Sequence, residues 1–274
     1  SEPNNGNPSC HRPHILLLPS LLILPNKAAF WQTPGASYYL DTPPHSLRLS
    51  TDVECLKWQA YLALRGLTKI AVRWDISPEG AMGARLPNLH LPSGQLLPAQ
   101  HIPTWVDEVL DEQERPLEGY KDQAALDESR AWVSLLEGDV HAALIIAQPI
   151  PTYLMSLITF PQPPSRSIES ILSPPPPPLS GISSILPPYG TRISRKPIES
   201  KYREAISAIA ERLGTDKWFL GSAEPTPLDA LVFAYLHSIL HTANHIIRIE
   251  VTRRVNLVAW ELRVRGLVSA AFTR

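Results

Sequence analysis

The side chains of this sequence best suited to chemistry are few and widely spaced. His237, His241 and His245 recur every four residues, so on an unbroken helix they would stack on one face. Two imidazoles at that spacing can share a metal ion. No cysteine or carboxylate lies near enough in sequence to complete a set, and Glu250 is the first acid downstream. A polar edge on a buried helix, or a helix that ends near Thr242, explains the spacing without a metal, and no metal is expected. The thiols are Cys10 and Cys55. Cys55 is expected inside a helix past its first turn, where the helix dipole lowers a thiol pKa least. Two thiols make no disulfide framework, and a reducing compartment is the simpler reading. Arg248, Arg253, Arg254, Arg263 and Arg265 make the C-terminal segment basic: a solvated face, or a contact for acidic loops of a partner. The sequence has no glycine-rich phosphate loop and no zinc spacing, and its basic residues do not interleave with aromatic ones.

The elements that would position these groups follow from patterning. The 274 residues are enough for two ordinary domains, and at 44% hydrophobic they can bury a core. Lys and Arg (25) nearly cancel Asp and Glu (26), and a net charge of −1 exerts no long-range pull on nucleic acid or anionic lipid. The stretch from His14 to Pro25 is strongly apolar (Ile15 to Leu18, Leu21 to Leu24) but shorter than the roughly 20 residues a bilayer needs, and Pro19 breaks it. Residues from Val140 to Phe160 carry no Asp, Glu, Lys or Arg, but Pro149 and Pro151 interrupt them. Spanning, re-entrant and buried-core readings of that stretch all stay open.

Residues 1–36 read as a tail with one apolar patch, and 37–115 as an α/β domain. Within the latter, Ser37 to Leu40 reads as a strand and Asp52 to Arg65 as a helix capped by Ser50 or Thr51. Lys69 to Trp74 is a second strand, and Ala84 to Leu97 a hairpin turning at Pro92 to Gly94. A helix from Ile102 to Leu110 follows. Residues 116–274 read as all-helical with a proline-rich insertion over 161–197. Ten of the chain's 29 prolines fall between Pro161 and Pro188, which excludes helix there. Helices are expected over Ile198 to Leu213, Thr226 to Leu240 and Val251 to Arg265. The second of these is apolar nearly all round and therefore central.

Thr226-Pro227-Leu228-Asp229 spells a capping box with proline at the first helical position, where its missing amide would have no partner anyway. An orphaned amide at a buried helix start would cost roughly 1–3 kcal/mol. The wider string Leu213-Gly214, Lys217-Trp218-Phe219, Gly221, Pro225-Thr226, Leu228-Asp229-Ala230 and Val232 to Leu236 resembles the C-terminal domain of glutathione-transferase folds, and specifically of metaxins. Asp52 to Gly66 is similar to the first helix of the smaller fungal-type metaxin subunit of the mitochondrial sorting and assembly machinery. Ser77-Pro-Glu-Gly80 with Arg85 to Leu89 resembles the same family.

The resemblance implies a thioredoxin-like α/β domain packed on an all-α bundle. Structural roles are expected for Pro87, at the family's cis-proline position, and for Gly221, Thr226 and Asp229. Glutathione enzymes of this fold hold the tripeptide's glutamyl end with a Glu/Gln–Ser pair, where this chain has Ala99-Gln100. They orient its sulfur with a hydroxyl or thiol, for which Tyr38, Tyr39 and Ser50 are the nearby candidates. The expectation is therefore a chain that is not an enzyme and needs no cofactor. The implied work is to bind β-barrel precursors, the outer-membrane β-barrel core subunit and a second metaxin-like subunit. The place would be the cytosolic face of the mitochondrial outer membrane, peripherally attached, with Ile15 to Leu24 helping to dock the tail. The alternatives are a glutathione-dependent transferase and a scaffold of the same fold with no mitochondrial link.

Overall fold

The computed structural model describes residues 29–31, 49–68, 70–73, 86–91, 93–110, 117–147 and 195–273. Strand β1 (Ala29–Trp31) precedes helix α1 (Val53–Leu64), and strand β2 (Ile70–Arg73) follows it. Strands β3 (Asn88–His90) and β4 (Leu96–Pro98) come next, then a 3-10 turn over Ala99–His101 and helix α2 (Ile102–Val109). The helical part holds α3 (Gln123–Leu135), which runs through a π-type turn into α4 (His141–Ala147). It continues with α5 (Arg195–Leu213), α6 (Pro227–His241), α7 (His245–Thr252) and α8 (Val255–Ala271). A last strand, β5 (Phe272–Thr273), ends it.

The sheet order is β4-β3-β1-β2-β5. Parallel β1 and β2 need a crossover, which α1 supplies, whereas β3 and β4 form an antiparallel hairpin closed by the Leu91 amide bonding the Gln95 carbonyl at 2.8 Å. This is the thioredoxin-like domain read from the sequence. Helix α1 starts where the Asp52 carboxylate accepts from the Cys55 amide (2.8 Å), and it buries Leu56, Gln59, Ala60 and Leu62. The cap is Asp52 rather than Ser50 or Thr51. Cys55 is the third helical residue and fully buried, so it lies in the first turn and not past it.

Two differences concern strands. The strand that pairs first is Ala29–Trp31, inside the segment read as tail, whereas the expected strand at Ser37 to Leu40 falls outside the described residues. Ala29–Trp31 is held by pairing on both sides, parallel to β2 and antiparallel to β3, which its three residues of sequence do not announce. The helical part also does not stay helical to its end. β5 pairs in parallel with β2, with Ile70 opposite Phe272, and Phe272 is fully buried. Without it β2 would present an unpaired edge.

In the helical part α6 is the centre, with Leu228, Val232, Phe233, Leu236 and Ile239 all buried. Helix α5 turns Tyr202, Ala205, Ile206, Ile209 and Leu213 inward, and the Tyr202 hydroxyl donates to the Ile247 carbonyl at 2.7 Å, pinning α7. Arg212 on α5 reaches both oxygens of Glu128 on α3 (2.6 and 3.1 Å). The single helix expected over Val251 to Arg265 is two, α7 and α8, broken at Arg253-Arg254. There the Arg254 amide bonds the Val251 carbonyl and the Arg254 guanidinium returns to the Glu250 carbonyl. Among the described residues no helix is long and apolar enough to cross a membrane. The proline-rich insertion, the Ile15 to Leu24 patch and most of the Val140 to Phe160 stretch lie outside them.

Candidate functional site

Sheet register brings three segment ends into one row. Trp31, the last residue of β1, pairs with Asn88, the first of β3, and Asn88 also pairs with Pro98, the last of β4. The Leu86–Pro87 peptide, which is cis, and the start of α2 therefore meet where β1 ends. The crossover helix α1 runs back against parallel strands, so its N-terminus lies at the same end. Ligands of open α/β sheets bind at the carboxyl ends of the parallel strands. This end offers backbone groups beside Pro87 and two helix starts.

The expected site residues separate here. Pro87 is buried at the row, with buried Asn88 beside it. The Ser50 hydroxyl is turned inward, where it accepts from the Asp52 amide (3.2 Å), while the Ser50 amide donates to the Gln59 side chain (2.8 Å). It works as part of the α1 start. Tyr38 and Tyr39 lie outside the described residues. Gln100, read as a poor substitute for the glutamyl clamp, is exposed on the 3-10 turn with its amide 3.4 Å from the His101 ring. The sequence reading passed over His101. Its only signal was its place next to Gln100 ahead of an apolar helix start.

Gly221, Thr226 and Asp229 belong to a second, purely architectural centre. The Asp229 carboxylate accepts from the amides of Phe219 and Thr226 (both 2.8 Å) and from the Thr226 hydroxyl (2.7 Å), and the Thr226 hydroxyl accepts from the Asp229 amide at 3.4 Å. Burial raises this carboxyl from its ordinary 3.8 to about 6, against those hydrogen bonds, which lower it. Phe219 is presented by a tight turn in which Leu220 and Gly221 both have positive φ (60° and 67°). The Leu228 amide donates to the Tyr120 hydroxyl (3.3 Å), tying in the loop before α3.

The histidine row does not form. Helix α6 ends at His241, Thr242 closes it, and His245 starts α7. His237 instead faces a carboxylate the sequence distance concealed, Glu261 on α8, at 2.7 Å. His241 stacks on the His237 ring, their centroids 4.0 Å apart, and bonds the His237 carbonyl. Burial lowers the His237 pKa. Among the described residues no group of three or more His, Cys, Asp or Glu is placed to hold a metal. Of the basic residues, Arg203, Arg253 and Arg254 surround Glu250, and Arg263 rests on the Lys217 carbonyl and the Trp218 ring.

Comparison with known proteins agrees with this architecture. The family described as glutathione S-transferase, C-terminal domain, matches residues 202–264. No curated protein matches the sequence significantly. Among solved structures, a glutathione S-transferase of Ceriporiopsis subvermispora in complex with glutathione is similar. It has a TM-score of 0.54 at 14% identity, covering 89% of this chain and 98% of that one. The beta-etherase LigF from a Sphingobium strain scores 0.51 at 14% identity, over 89% of this chain and 97% of its own. A glutathione S-transferase of Methylobacterium radiotolerans, in complex with glutathione sulfonate, scores 0.50 at 13%, over 91% and 97%. These neighbours are enzymes, which overturns the expectation of a chain without chemistry: missing clamp residues were too narrow a ground for it. A thioredoxin-like sheet joined to a helical bundle centred on α6 is the fold of glutathione transferases, and this chain has that fold.

Proposed function

We propose that the chain is a glutathione-dependent transferase that holds its tripeptide at the sheet end where β1, β3 and α2 meet. The observation that carries this reading is the row Trp31, Asn88 and Pro98, which sets the backbone before β3 beside the start of α2. An extended peptide can bond main chain to main chain next to Pro87, as strand addition does. Its glutamyl end then reaches Gln100 and His101, which stand in for the Glu/Gln–Ser pair of other glutathione enzymes. The complex of the Ceriporiopsis enzyme with glutathione supports the choice of ligand. In the reaction the thiol loses its proton to solvent, sulfur bonds the electrophilic carbon, and the leaving group departs with its electron pair. Tyr38 and Tyr39, a few residues after β1 in sequence, are the candidates for the hydroxyl that stabilises the thiolate.

The test is retention on immobilised glutathione, followed by turnover of chlorodinitrobenzene. Gln100→Leu should raise KM for glutathione several-fold with kcat little changed, and Tyr38→Phe with Tyr39→Phe should lower kcat. No retention and no turnover above the uncatalysed rate would refute the assignment.

A second reading rests on the metaxin resemblance of Leu213 to Leu236, a string whose Trp218, Phe219, Leu228 and Asp229 pack as one buried unit. It places the chain on the cytosolic face of the mitochondrial outer membrane. There it would contact a β-barrel core subunit and a second metaxin-like subunit and receive β-barrel precursors. Co-purification with an outer-membrane β-barrel would support it, and its absence from purified mitochondria would dismiss it.

A further inference from the structure

Helix α8 is apolar on both sides. Leu257, Trp260, Val264 and Val268 face the core. On the outside Val255, Ala259, Leu262, Gly266 and Ala270 follow one another at helical spacing and are exposed, Val255 by 78% and Leu262 by 49%. The stripe contains no acid, and bordering Arg263 is turned away onto Lys217 and Trp218.

We propose that this stripe is the docking face for the chain's own apolar segment, Ile15 to Leu24. Two arguments select that occupant. The first is reach. Ala29, Ala71 and Thr273 stand in one row across β1, β2 and β5. The chain before Ala29 therefore starts about 10 Å, two strand spacings, from the place where α8 passes into β5. Leu24 is five Cα steps from Ala29, at most about 18 Å. The segment can thus lie beside the last turns of α8, since the nine helical rises from Leu262 to Ala271 cover only about 14 Å.

The second argument is area. The fifteen helical rises from Val255 to Ala270 make a stripe about 22 Å long, or roughly 200 Å² at the width of one face. A stable interface between separate chains takes about 800 Å² from each partner. A face this small suits an occupant already tethered, at millimolar effective concentration. The segment has the matching chemistry, with Ile15, Leu16, Leu17, Leu18, Leu21, Leu22, Ile23 and Leu24 and no charge among them. The inference stands apart from the proposed transferase activity.

The experiment places p-benzoylphenylalanine at Leu262, and separately at Leu267 on the flank of the stripe, in the full chain. The protein is irradiated at low micromolar concentration and its cross-links mapped by mass spectrometry. Leu262 is half exposed, so both variants should keep the wild-type circular dichroism, and either one alone decides the matter. The expected result is cross-linking within the monomer to peptides covering residues 14–25. Cross-links between two chains, or folded protein with none to that segment, would overturn the proposal. A lipid occupant is read separately, by flotation with phosphatidylcholine–cardiolipin vesicles. Flotation lost in Leu262→Glu but retained after deletion of residues 1–25 would also overturn it.

Discussion

Replacing Asp229 with alanine removes the acceptor of three hydrogen bonds at once. Two come from buried backbone amides, those of Phe219 and Thr226, and one from the Thr226 hydroxyl. Each amide left without a partner costs about 1–3 kcal/mol, whereas the hydroxyl can rotate. The lost negative charge at the start of α6 adds about 0.3–1 kcal/mol. Water entering the vacated space offsets part of this, so the expected loss is about 3–5 kcal/mol. That is a large share of the roughly 5–15 kcal/mol that stabilises a domain, and should lower Tm by roughly 10 °C. Urea unfolding followed by tryptophan fluorescence is a suitable assay, because Trp218 is buried next to this turn and Trp260 packs edge-on against Phe219 at 5.5 Å. Thr226→Ser keeps the hydroxyl and should cost under about 1 kcal/mol, while Thr226→Ala should cost about 1–2 kcal/mol as an N-cap loss. If Asp229→Ala unfolds within about 1 kcal/mol of wild type, the carboxylate is not what joins the Phe219 turn to α6, and the reasoning fails.

The same carboxyl predicts a pH dependence. Because burial holds it near 6 in the folded protein against an ordinary 3.8, the folded state binds this proton more tightly than the unfolded chain. Its contribution is fully present below about pH 4 and is lost as pH rises through about 6. Between pH 5 and 7.5 wild type should lose about 1 kcal/mol that Asp229→Asn does not lose. His237 acts in the opposite sense: its lowered pKa gives stability present above the ordinary histidine range and lost as pH falls through the folded value. An NMR titration should place its midpoint below that of an unfolded histidine, and a midpoint above it would refute the burial argument. Gly119→Ala should destabilise by about 1–3 kcal/mol, since φ is +91° and a Cβ would stand 3.3 Å from the Pro225 carbonyl oxygen. Unchanged urea stability would show that loop to yield. Arg212→Ala removes a bidentate pair whose members are 29% and 39% exposed, so solvent screening limits the loss to about 1 kcal/mol by the same urea assay.

Local chemistry was legible wherever it is written in adjacent residues. The Thr226 to Asp229 box, the all-round apolar face of α6, the inward face of α5 and the turn between β3 and β4 each follow from spacing within one element. The role of Pro87 came from the family resemblance, whose cis-proline position it fits. Periodicity also ran on too far where nothing local interrupted it. The Val251 to Arg265 pattern contains a break at Arg253-Arg254 that backbone and guanidinium bonds to Val251 and Glu250 make, and no glycine or proline marks it.

What tertiary structure decided is everything that depends on residues far apart in the chain. Strand pairing made Ala29–Trp31 a strand inside the segment read as tail and brought Phe272–Thr273 to the edge of β2, because a short strand gains its hydrogen bonds only from its neighbours. Glu261 became the partner of His237 across 24 positions of sequence. The row of Trp31, Asn88 and Pro98 exists only in the register of three strands. Sequence spacing determines which faces a segment can offer, but a site made from the ends of separate elements appears only when their packing brings those ends together.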